Sequence, residues 1–352
     1  METLDQARVL VTGGTGSLGH AVVRRLMSGE MGCPSQITVF SRDEAKQHYM
    51  RLEFLQRAKA TDDIVYDEHR AQPQLRFVIG DVRNFESLAH AVPGHDVVIH
   101  AAAMKQVPTC EYFPSEAVAT NIVGTQNLIR AVQRYGSGVN VVVGISTDKA
   151  CKPVNVLGMT KAVMERVLVE ANLGGTDTRF VSVRYGNVVA SRGSVVPLLQ
   201  TQIARGGPVT ITTKEMTRFL LSLDQAVDVV FAAIRSARRG ELFVPQVPSA
   251  RIVDIATALI AGRAIPIIYT GIRPGEKIHE ILVSEEERFR TVERDGHYVT
   301  RPMLPELEQD AADPVAVLPH AYSSENVSLS VRELSRMLRQ FADNESRLDV
   351  LA

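Results

Sequence analysis

Near its start the chain reads Val9-Leu10-Val11-Thr12-Gly13-Gly14-Thr15-Gly16-Ser17-Leu18-Gly19. Residues 9–11 predict a buried strand, and the residues after Gly19 have helical spacing. Gly14 and Gly16 allow a tight turn and a close approach of the backbone to a pyrophosphate, while Gly19 lets the helix pack on the strand. The N-terminus of that helix offers unpaired N–H groups to the anion. We therefore expect a dinucleotide to be contacted by Thr12, Gly13, Gly14, Thr15, Gly16, Ser17, Leu18 and Gly19.

Short β-branched runs continue this pattern along the first half of the chain. They lie at residues 8–12, 36–40, 75–80, 96–101, 139–146 and 179–184. Stretches with helical spacing lie between them, for example at residues 117–134 and 161–170. This alternation predicts an α/β fold of the Rossmann type, with a doubly wound parallel sheet that is covered by helices on both faces.

Prolines and glycines become frequent from about residue 193, which predicts a smaller, irregular C-terminal lobe. We expect a dinucleotide-binding domain at residues 1–190, with a sheet that later segments could complete. Residues 191–352 are expected to form mainly the substrate-binding lobe, with a C-terminal arm and helix.

Composition argues against several classes of partner. The 352 residues include 39 Lys and Arg against 40 Asp and Glu, so bulk charge does not favour nucleic acid. No apolar run approaches the ~18 residues of a membrane span, and the first six residues do not resemble a signal peptide. The three cysteines, Cys33, Cys110 and Cys151, have no CxxC spacing, so neither a disulfide framework nor a metal site is expected. We expect a cytoplasmic protein without a membrane or nucleic-acid partner.

The ends of the next strands indicate which dinucleotide is bound. Ser41 and Arg42 stand at the end of the second strand, where an acidic residue would accept the 2′-hydroxyl of NAD. Because a guanidinium can pair with a 2′-phosphate, Arg42 favours NADP, although Asp43 leaves NAD open. After the third and fourth strands, contacts to the cofactor are expected from Asp81, Val82, Ala101, Ala102 and Ala103.

A group of polar residues follows the fifth strand, where a ligand crevice is expected. Thr147, Asp148 and Lys149 occupy this strand end, and a helix that begins near Gly158 would turn Lys161 toward it. A hydroxyl, an acid and two amines at one place form a plausible set for proton transfer, since burial and pairing can tune their pKa values.

Longer motifs carry a resemblance to a known family. They are TGGTGSLG, DV at Asp81, AAAMKQVP, residues 111–127, STDKA, RYGNVVASRGSVVP, MTRF and RPGEKIHE. Together they resemble the extended short-chain dehydrogenase/reductases, specifically the UDP-N-acetylglucosamine 4,6-dehydratases of bacterial glycan pathways. The resemblance covers roughly residues 9–283, and the short form without a membrane segment is similar to the enzymes that invert C5.

The resemblance implies a reaction in three stages on a UDP-linked hexose. Hydride passes from C4 to NADP, a base removes the acidified C5 proton while an acid helps the C6 hydroxyl leave, and the hydride returns to C6. Reprotonation of C5 from the opposite face then gives an inverted 4-keto-6-deoxy sugar. By the same resemblance Lys149 is the C5 base, Asp148 the acid at C6, Thr147 assists at the 4-hydroxyl, and Lys161 holds the nicotinamide ribose.

A lysine acts as a base only if its pKa is depressed, and we expect Lys105, Lys161 and the cationic nicotinamide to depress that of Lys149. The resemblance adds further cofactor contacts at Lys105, Asn121, Tyr185 and Asn187. It places the UDP-sugar pocket at Lys105, Asn187, Ser194, Val195, Arg218, Arg273 and Glu276, where arginines suit a diphosphate.

One position departs from the family. Relatives usually carry tyrosine four residues before the motif lysine, where it accepts the proton of the 4-hydroxyl, and this chain has Leu157. Some relatives from capsule pathways have methionine there and remain dehydratases. Asp148, Thr147 with a water, or the ribose hydroxyl would have to replace the tyrosine.

Two alternatives remain open from the sequence. The first is another nucleotide-sugar reaction on the same scaffold, such as 4-epimerisation or C5 epimerisation without net dehydration, although a simple 4-epimerase does not need the Asp148–Lys149 pair. The second is a dinucleotide-binding protein with little catalysis, which Leu157 favours. In either case a homo-oligomer, a dimer or a hexamer, is expected to form through helices at residues 115–134 and 161–170.

Overall fold

The computed structural model describes residues 4–54, 74–189, 195–307 and 317–339. Its first six strands confirm the predicted α/β pattern. They are β1 (Arg8–Thr12), β2 (Gln36–Ser41), β3 (Leu75–Ile79), β4 (Val97–His100), β5 (Val141–Ile145) and β6 (Arg179–Val183). All six are parallel and stand in the order β3-β2-β1-β4-β5-β6.

Later segments extend this sheet to nine strands. The remaining strands are β7 (Val209–Ile211), β8 (Thr217–Phe219), β9 (Leu242–Pro245), β10 (Ser249–Arg251), β11 (Ile267–Tyr269), β12 (Ile281–Val283), β13 (Thr291–Arg294), β14 (His297–Thr300) and β15 (Tyr322–Ser323). Of these, β9 pairs in parallel with β6, and β14 and β13 follow it as antiparallel strands. The other six form three two-stranded sheets, β7 with β11, β8 with β10 and β12 with β15. The chain therefore returns to the central sheet well after residue 190.

Helices cover both faces of the sheet. They are α1 (Ser17–Met27), α2 (Glu44–Phe54), α3 (Phe85–Ala91), α4 (Val107–Tyr112), α5 (Pro114–Val118), α6 (Gly124–Tyr135), α7 (Val156–Glu170), α8 (Val195–Ala204), α9 (Leu223–Ser236) and α10 (Ile252–Ile260). Residues 331–339 are also helical. The helix expected at residues 117–134 is divided, because a π-helical turn at Ala119–Val123 separates α5 from α6. The helix expected at 161–170 begins earlier, where the Asn155 side chain accepts a hydrogen bond from Gly158 N at 2.8 Å and caps α7.

Alternate residues of one strand contribute to different core layers. Val9 and Val11 of β1 pack on the side that holds α1 and α9, whereas Leu10 packs on the side that holds α3, α6 and α7. This follows from the two-residue repeat of a strand, which points successive side chains to opposite faces. A separate apolar cluster joins α8, β7, α10 and the helical residues 331–339.

Two further observations concern these described ranges. None of their helices is both long enough and apolar enough to cross a membrane. Cys33 is exposed, Cys110 and Cys151 are buried, and all three thiols are unbridged.

Candidate active site

The carboxyl ends of β1, β4 and β5 border a cleft of about 590 Å³. It lies where the strand order reverses between β1 and β4, the place at which open α/β sheets bind ligands. Most of the residues that the sequence predicts for the site line this cleft. They are Gly13, Thr15, Gly16, Ser17, Leu18, Gly19, Ser41, Arg42, Asp81, Val82, Ala101, Ala102, Ala103, Lys105, Thr147, Asp148, Lys149, Leu157, Lys161, Tyr185 and Asn187.

The glycine turn leaves space for a pyrophosphate. Gly13 has a φ of +70°, and a Cβ there would lie 2.6 Å from the backbone N of Ala102. A Cβ on Gly19 would lie 2.5 Å from the carbonyl oxygen of Gly13, so α1 can approach the turn only with glycine. No side chain caps the N-terminus of α1, and its first turn holds no acidic residue. The turn and the helix N-terminus therefore fit the diphosphate of a dinucleotide.

Two residues of the predicted turn lie beneath the cleft and do not line it. Thr12 is buried, and its hydroxyl shares a hydrogen bond of 2.7 Å with Nδ1 of His100. A Cβ on Gly14 would lie 2.9 Å from Cγ1 of Val39, so this glycine allows the turn to pack on β2. Both residues shape the turn from below.

A cluster of charges lies at the adenosine end. Arg42 lines the cleft with 61% of its side chain exposed, and its Nη1 is 3.7 Å from Oδ2 of Asp81. Asp81 is held more closely by Arg83, whose Nη2 donates to the same oxygen at 2.6 Å. Asp43, whose carboxylate kept NAD as an alternative in the sequence analysis, pairs with Lys46 at 2.7 Å. Because Lys46 also lines the cleft, two cations, Arg42 and Lys46, lie at this end of it.

Asn121 positions the loop that carries Lys105 and does not line the cleft. Its buried amide accepts from the backbone N of Met104 at 2.9 Å and donates to the backbone O of Met104 at 3.1 Å. It also donates to the hydroxyl of Thr160 at 3.0 Å, which ties the loop to α7. Burial lowers the pKa of Lys105.

Lys161 is buried in the cleft beside the end of β5. Its Nζ donates to the carbonyl oxygen of Ile145 at 2.7 Å and lies 3.2 Å from Sδ of Met164. Burial lowers the pKa of Lys161 to about 8, although the nearby Glu165 opposes that effect. A lysine held in this way is suited to hydrogen bonding with a ribose hydroxyl.

Thr147, Asp148 and Lys149 form a connected group at the 3₁₀ turn Asp148–Ala150. The Thr147 hydroxyl donates to Oδ1 of Asp148 at 2.8 Å, and Nζ of Lys149 donates to the same oxygen at 3.0 Å. Lys149 also donates to Oδ1 of Asn187 at 3.5 Å. The Asp148 side chain is 1% exposed, and its Oδ2 has no hydrogen-bond partner among the described residues.

The charge state of Lys149 differs from the expectation. Burial lowers the pKa of Lys149, but the carboxylates of Asp148 and Glu280 raise it by more, and Arg218 opposes them only partly, so the pKa lies above its ordinary value. The expectation that neighbouring cations depress this pKa is therefore wrong. Two carboxylates, at 3.0 Å and 3.3 Å, hold the ammonium in its charged form.

Glu280 was not singled out from the sequence, although the motif RPGEKIHE ends on it. Its side chain is 2% exposed, and Oε1 lies 3.3 Å from Nζ of Lys149. Lys277 Nζ lies 3.8 Å from Oε2, and the Glu280 backbone N donates to the hydroxyl of Ser324 at 2.9 Å. The motif was part of the family resemblance, but nothing in the sequence predicted that Glu280 lies close to Lys149.

Leu157 stands in the first turn of α7, lines the cleft and is 4% exposed. It packs with Cys110 and Ala117, and the half-buried Met104 and Val107 adjoin this cluster. The wall that faces the ligand at this position is therefore apolar.

The residues expected in the sugar pocket are only partly brought together. Lys105 and Asn187 line the cleft, whereas Val195, Arg218, Arg273 and Glu276 do not. Arg218 is buried, donates to two backbone carbonyls and has its Nε 3.9 Å from Glu280, so it lies behind Lys149. Arg273 is exposed, and Glu276 accepts a hydrogen bond of 3.3 Å from a threonine hydroxyl. Ser194 lies outside the described residues.

A buried ionic network supports the 3₁₀ turn Asp148–Ala150, which is called the catalytic turn below because it carries the candidate acid and base. Arg184 is 2% exposed and pairs with Glu165 at 2.6 Å and with Glu287 at 2.8 Å. Ser146, just before the turn, donates to Glu165 at 2.5 Å, and the thiol of Cys151, just after it, lies 3.6 Å from Glu287. Both ends of the turn are thus attached to one set of buried charges.

The Rossmann sheet, the glycine turn and the helix lysine Lys161 are features of the extended short-chain dehydrogenase/reductases, and the chain is an enzyme of that class. More narrowly, it belongs to the polysaccharide biosynthesis protein family, whose sequence model matches residues 9–302.

Similar proteins carry two different names. The chain is 41% identical to a UDP-N-acetylglucosamine 4,6-dehydratase (inverting) of Campylobacter jejuni over 309 residues, which cover 87% of this chain and 86% of that protein. It is 42% identical to a UDP-glucose 4-epimerase of Rickettsia akari over 295 residues, which cover 82% and 81%. Among solved structures, Pen from Bacillus thuringiensis superposes with a TM-score of 0.82 at 33% identity and covers 96% of this chain and 98% of that one.

Proposed function

We propose that the chain dehydrates a UDP-N-acetylhexosamine, UDP-N-acetylglucosamine in the first instance, to a 4-keto-6-deoxy sugar with inversion at C5. The observation that carries this proposal is the pair of the buried Asp148 and the half-buried Lys149 at the end of β5, 3.0 Å apart. Elimination of water across C5 and C6 needs a base for one carbon and an acid for the oxygen on the other. A pair of this kind supplies both groups within one turn.

The protonation states of the pair define what must happen before elimination. Lys149 is charged, so it can remove the C5 proton only after it has given up its own. Glu280 is an acceptor for that proton, since Oε1 is 3.3 Å from Nζ and Oε2 has no hydrogen-bond partner among the described residues. Asp148 must gain a proton before it can protonate the departing C6 hydroxyl.

NADP is the proposed cofactor, and a tightly bound one that is regenerated in each cycle. When bound, its nicotinamide ring takes hydride from C4 and later returns it to C6. The glycine turn would hold its diphosphate, Arg42 and Lys46 its 2′-phosphate, and Lys161 the ribose next to the ring. The two cations favour NADP over NAD because each can pair with a phosphate dianion.

The substrate would occupy the part of the cleft between Lys105, Asn187 and the catalytic turn. Ser194, Val195, Arg218, Arg273 and Glu276 remain proposed contacts of the UDP group, although Val195, Arg218, Arg273 and Glu276 do not line the cleft. The 41% identical relative named as an inverting dehydratase supports this substrate class. A cytoplasmic homo-oligomer is part of the proposal.

A second candidate is 4-epimerisation of a UDP-sugar, because relatives at 42% identity carry the name UDP-glucose 4-epimerase. A 4-epimerase removes and returns hydride at C4 and leaves C5 and C6 untouched. It has no need of Asp148 and Lys149 as an acid and a base, so the close pairing of these two residues argues for dehydration. A dinucleotide-binding protein with little catalysis is disfavoured for the same reason.

The test is incubation of the purified protein with UDP-N-acetylglucosamine and NADP in deuterium oxide, followed by NMR and mass spectrometry. We expect a product that has lost water, carries deuterium at C5 and shows the coupling pattern of an inverted 4-keto-6-deoxy sugar. Lys149→Met should yield no C5 deuterium, whereas Lys152→Met, a surface lysine three residues on, should behave as wild type. An epimer of unchanged mass would establish the second candidate, and cofactor binding without turnover would establish a binding protein.

A further inference from the structure

The wall formed by Leu157 raises the question of which group accepts the proton of the 4-hydroxyl. The start of α7 lies directly against the catalytic turn, because a Cβ on Gly158 would be 2.1 Å from the carbonyl oxygen of Lys149. Leu157 therefore adjoins the turn and lines the same cleft, but its side chain cannot accept a proton. The turn itself carries polar groups that line the cleft and can do so, Thr147 and Asp148.

Thr147 has the hydrogen bonds that such a role requires. Its hydroxyl donates to Oδ1 of Asp148 at 2.8 Å, so its hydrogen is already directed at a carboxylate. Among the described residues its oxygen accepts a single contact, which is a weak one from the backbone N of Lys149 at 3.5 Å. The side chain is half-buried and lines the cleft. A hydroxyl arranged in this way can accept a proton from a ligand while it passes its own to the acid behind it.

We propose, on the basis of the dehydratase function above, that Thr147 and Asp148 form a proton relay that replaces the missing tyrosine. When C4 is oxidised, the electron pair of the C4–H bond leaves as hydride to the nicotinamide dinucleotide. The O–H bond of the 4-hydroxyl breaks and a new O–H bond forms at Oγ1 of Thr147. The original Thr147 O–H bond breaks as Oδ1 of Asp148 gains the proton, so Thr147 is unchanged and Asp148 is neutral.

The relay also prepares the second stage. The proton that leaves the 4-hydroxyl becomes the proton that Asp148 gives to the departing C6 hydroxyl, so the water released contains it. Protonation of Asp148 removes one of the two carboxylates that raise the pKa of Lys149. The lysine then loses its proton to Glu280 more readily, and oxidation at C4 thereby converts Lys149 into the base for C5.

The first test separates a relay from an acid that acts only at C6. Asp148→Asn is loaded with NADP, mixed with UDP-N-acetylglucosamine in a single turnover, and followed by the absorbance of reduced nicotinamide. A relay predicts that hydride transfer slows by at least about 100-fold, the usual contribution of a general base. If Asp148 acts only at C6, reduced cofactor and the 4-keto sugar accumulate at the wild-type rate, and the relay is then refuted.

The second test adds a tyrosine where relatives have one. Thr147→Val removes the hydroxyl at nearly constant volume and should slow hydride transfer, while Thr147→Ser keeps the hydroxyl and should retain most of the rate. Introducing Leu157→Tyr into Thr147→Val should recover hydride transfer, because it supplies a different proton acceptor. A valine variant with the wild-type rate, or a double variant as slow as the single one, would contradict the relay.

Failure of the relay is distinguishable from failure of the proposed function. If wild-type protein releases the 4-keto-6-deoxy sugar while Asp148→Asn still reduces the cofactor at full rate, only the relay is wrong. If wild-type protein forms a 4-epimer and no dehydrated product, the proposed function is wrong. If Asp148→Asn does not fold, as judged by circular dichroism, the three variants at Thr147 and Leu157 still show whether the relay operates.

Discussion

At the scale of single residues, Lys149 and Lys161 show how the surroundings of an ammonium group set its chemistry. Lys161 is buried and Lys149 half-buried beside the same strand end, yet their pKa values shift in opposite directions. Burial dominates at Lys161, whose pKa falls to about 8. At Lys149 the adjacent carboxylates of Asp148 and Glu280 outweigh burial, and the pKa rises. The pKa of Lys161 thus lies near neutrality, whereas the proposed mechanism requires Lys149 to lose its proton to a neighbour before it can act as the base.

The choice of cofactor also depends on single residues. We expect Arg42→Ala to weaken NADP binding by roughly 10- to 100-fold, since a hydrogen bond to a charged group contributes about 1.5–3 kcal/mol. NAD binding should be almost unchanged because NAD has no 2′-phosphate. Titration of each dinucleotide by fluorescence or calorimetry measures both affinities.

Arg83→Ala is the matched control for Arg42→Ala. Arg83 pairs with the same carboxylate, Asp81, but does not line the cleft. Its loss should leave the preference between the two cofactors as it is. Equal losses of NADP and NAD affinity in Arg42→Ala would show that this guanidinium does not bind the 2′-phosphate.

At the scale of elements, a network of buried charges holds three segments together under the site. Arg184 follows β6, Glu165 belongs to α7, and Glu287 follows β12. The guanidinium donates to both carboxylates, and its Nη1 also donates to the carbonyl oxygen of Leu282 at 2.8 Å. Because β12 follows closely after Glu280, the same network fixes the segment that brings Glu280 to Lys149.

Removal of Arg184 should therefore be costly. We expect Arg184→Met to lower the free energy of unfolding by about 3–5 kcal/mol, because it leaves two buried carboxylates without their partner. Arg251→Met, which breaks an exposed pair with Asp254, should cost less than about 1 kcal/mol. Urea denaturation measures both, and similar losses in the two variants would contradict the structural role of the network.

The same network predicts how stability depends on pH. Burial raises the pKa of Glu287, but Arg184 lowers it by more, to about 2. A carboxyl whose folded pKa is depressed stabilises the fold above its unfolded value of about 4.3 and loses that contribution as the pH falls toward the folded value. The free energy of unfolding of the wild type should accordingly decline as the pH falls from about 4.3 toward about 2. Arg184→Met should show a weaker decline, because this variant has already lost the stabilisation that Arg184 gives to the ionised Glu287.

At the scale of the whole molecule, an exposed apolar surface extends over the helices beside the site. This surface is made up of exposed apolar side chains on α4, α5, the π-helical turn and α7, together with Phe113 between α4 and α5; the others are Tyr112, Val118, Val123, Met159 and Val163. Helices α5 and α7 pack side by side, so these residues are continuous. Apolar patches of this kind mark contacts between proteins, which supports the proposed homo-oligomer.

We expect Val163→Glu combined with Met159→Glu to shift the protein to a smaller species, because two charges would be buried at the interface. Light scattering after size-exclusion chromatography measures the mass in solution. Leu198→Glu, on the exposed side of α8, is the control and should leave the mass unchanged. An identical mass for the double variant and the wild type would place the interface elsewhere.

The sequence by itself determined the elements that depend on neighbouring residues. The glycine turn, the alternation of strands and helices, and the Thr147-Asp148-Lys149 group at a strand end are all local patterns, because backbone geometry and side-chain periodicity act over a few residues. The motif that placed Leu157 four residues before Lys161 is local in the same sense. These features were sufficient to predict the Rossmann fold and most residues of the cleft.

Only the tertiary structure decided the features that depend on distances between remote parts of the chain. It brought Glu280 to Lys149, returned β9 and β14 to the central sheet, and left Arg273 outside the cleft. The charge state of Lys149 was mispredicted for that reason. A pKa responds to every charge within a few ångströms, and separation along the sequence contains no measure of that distance.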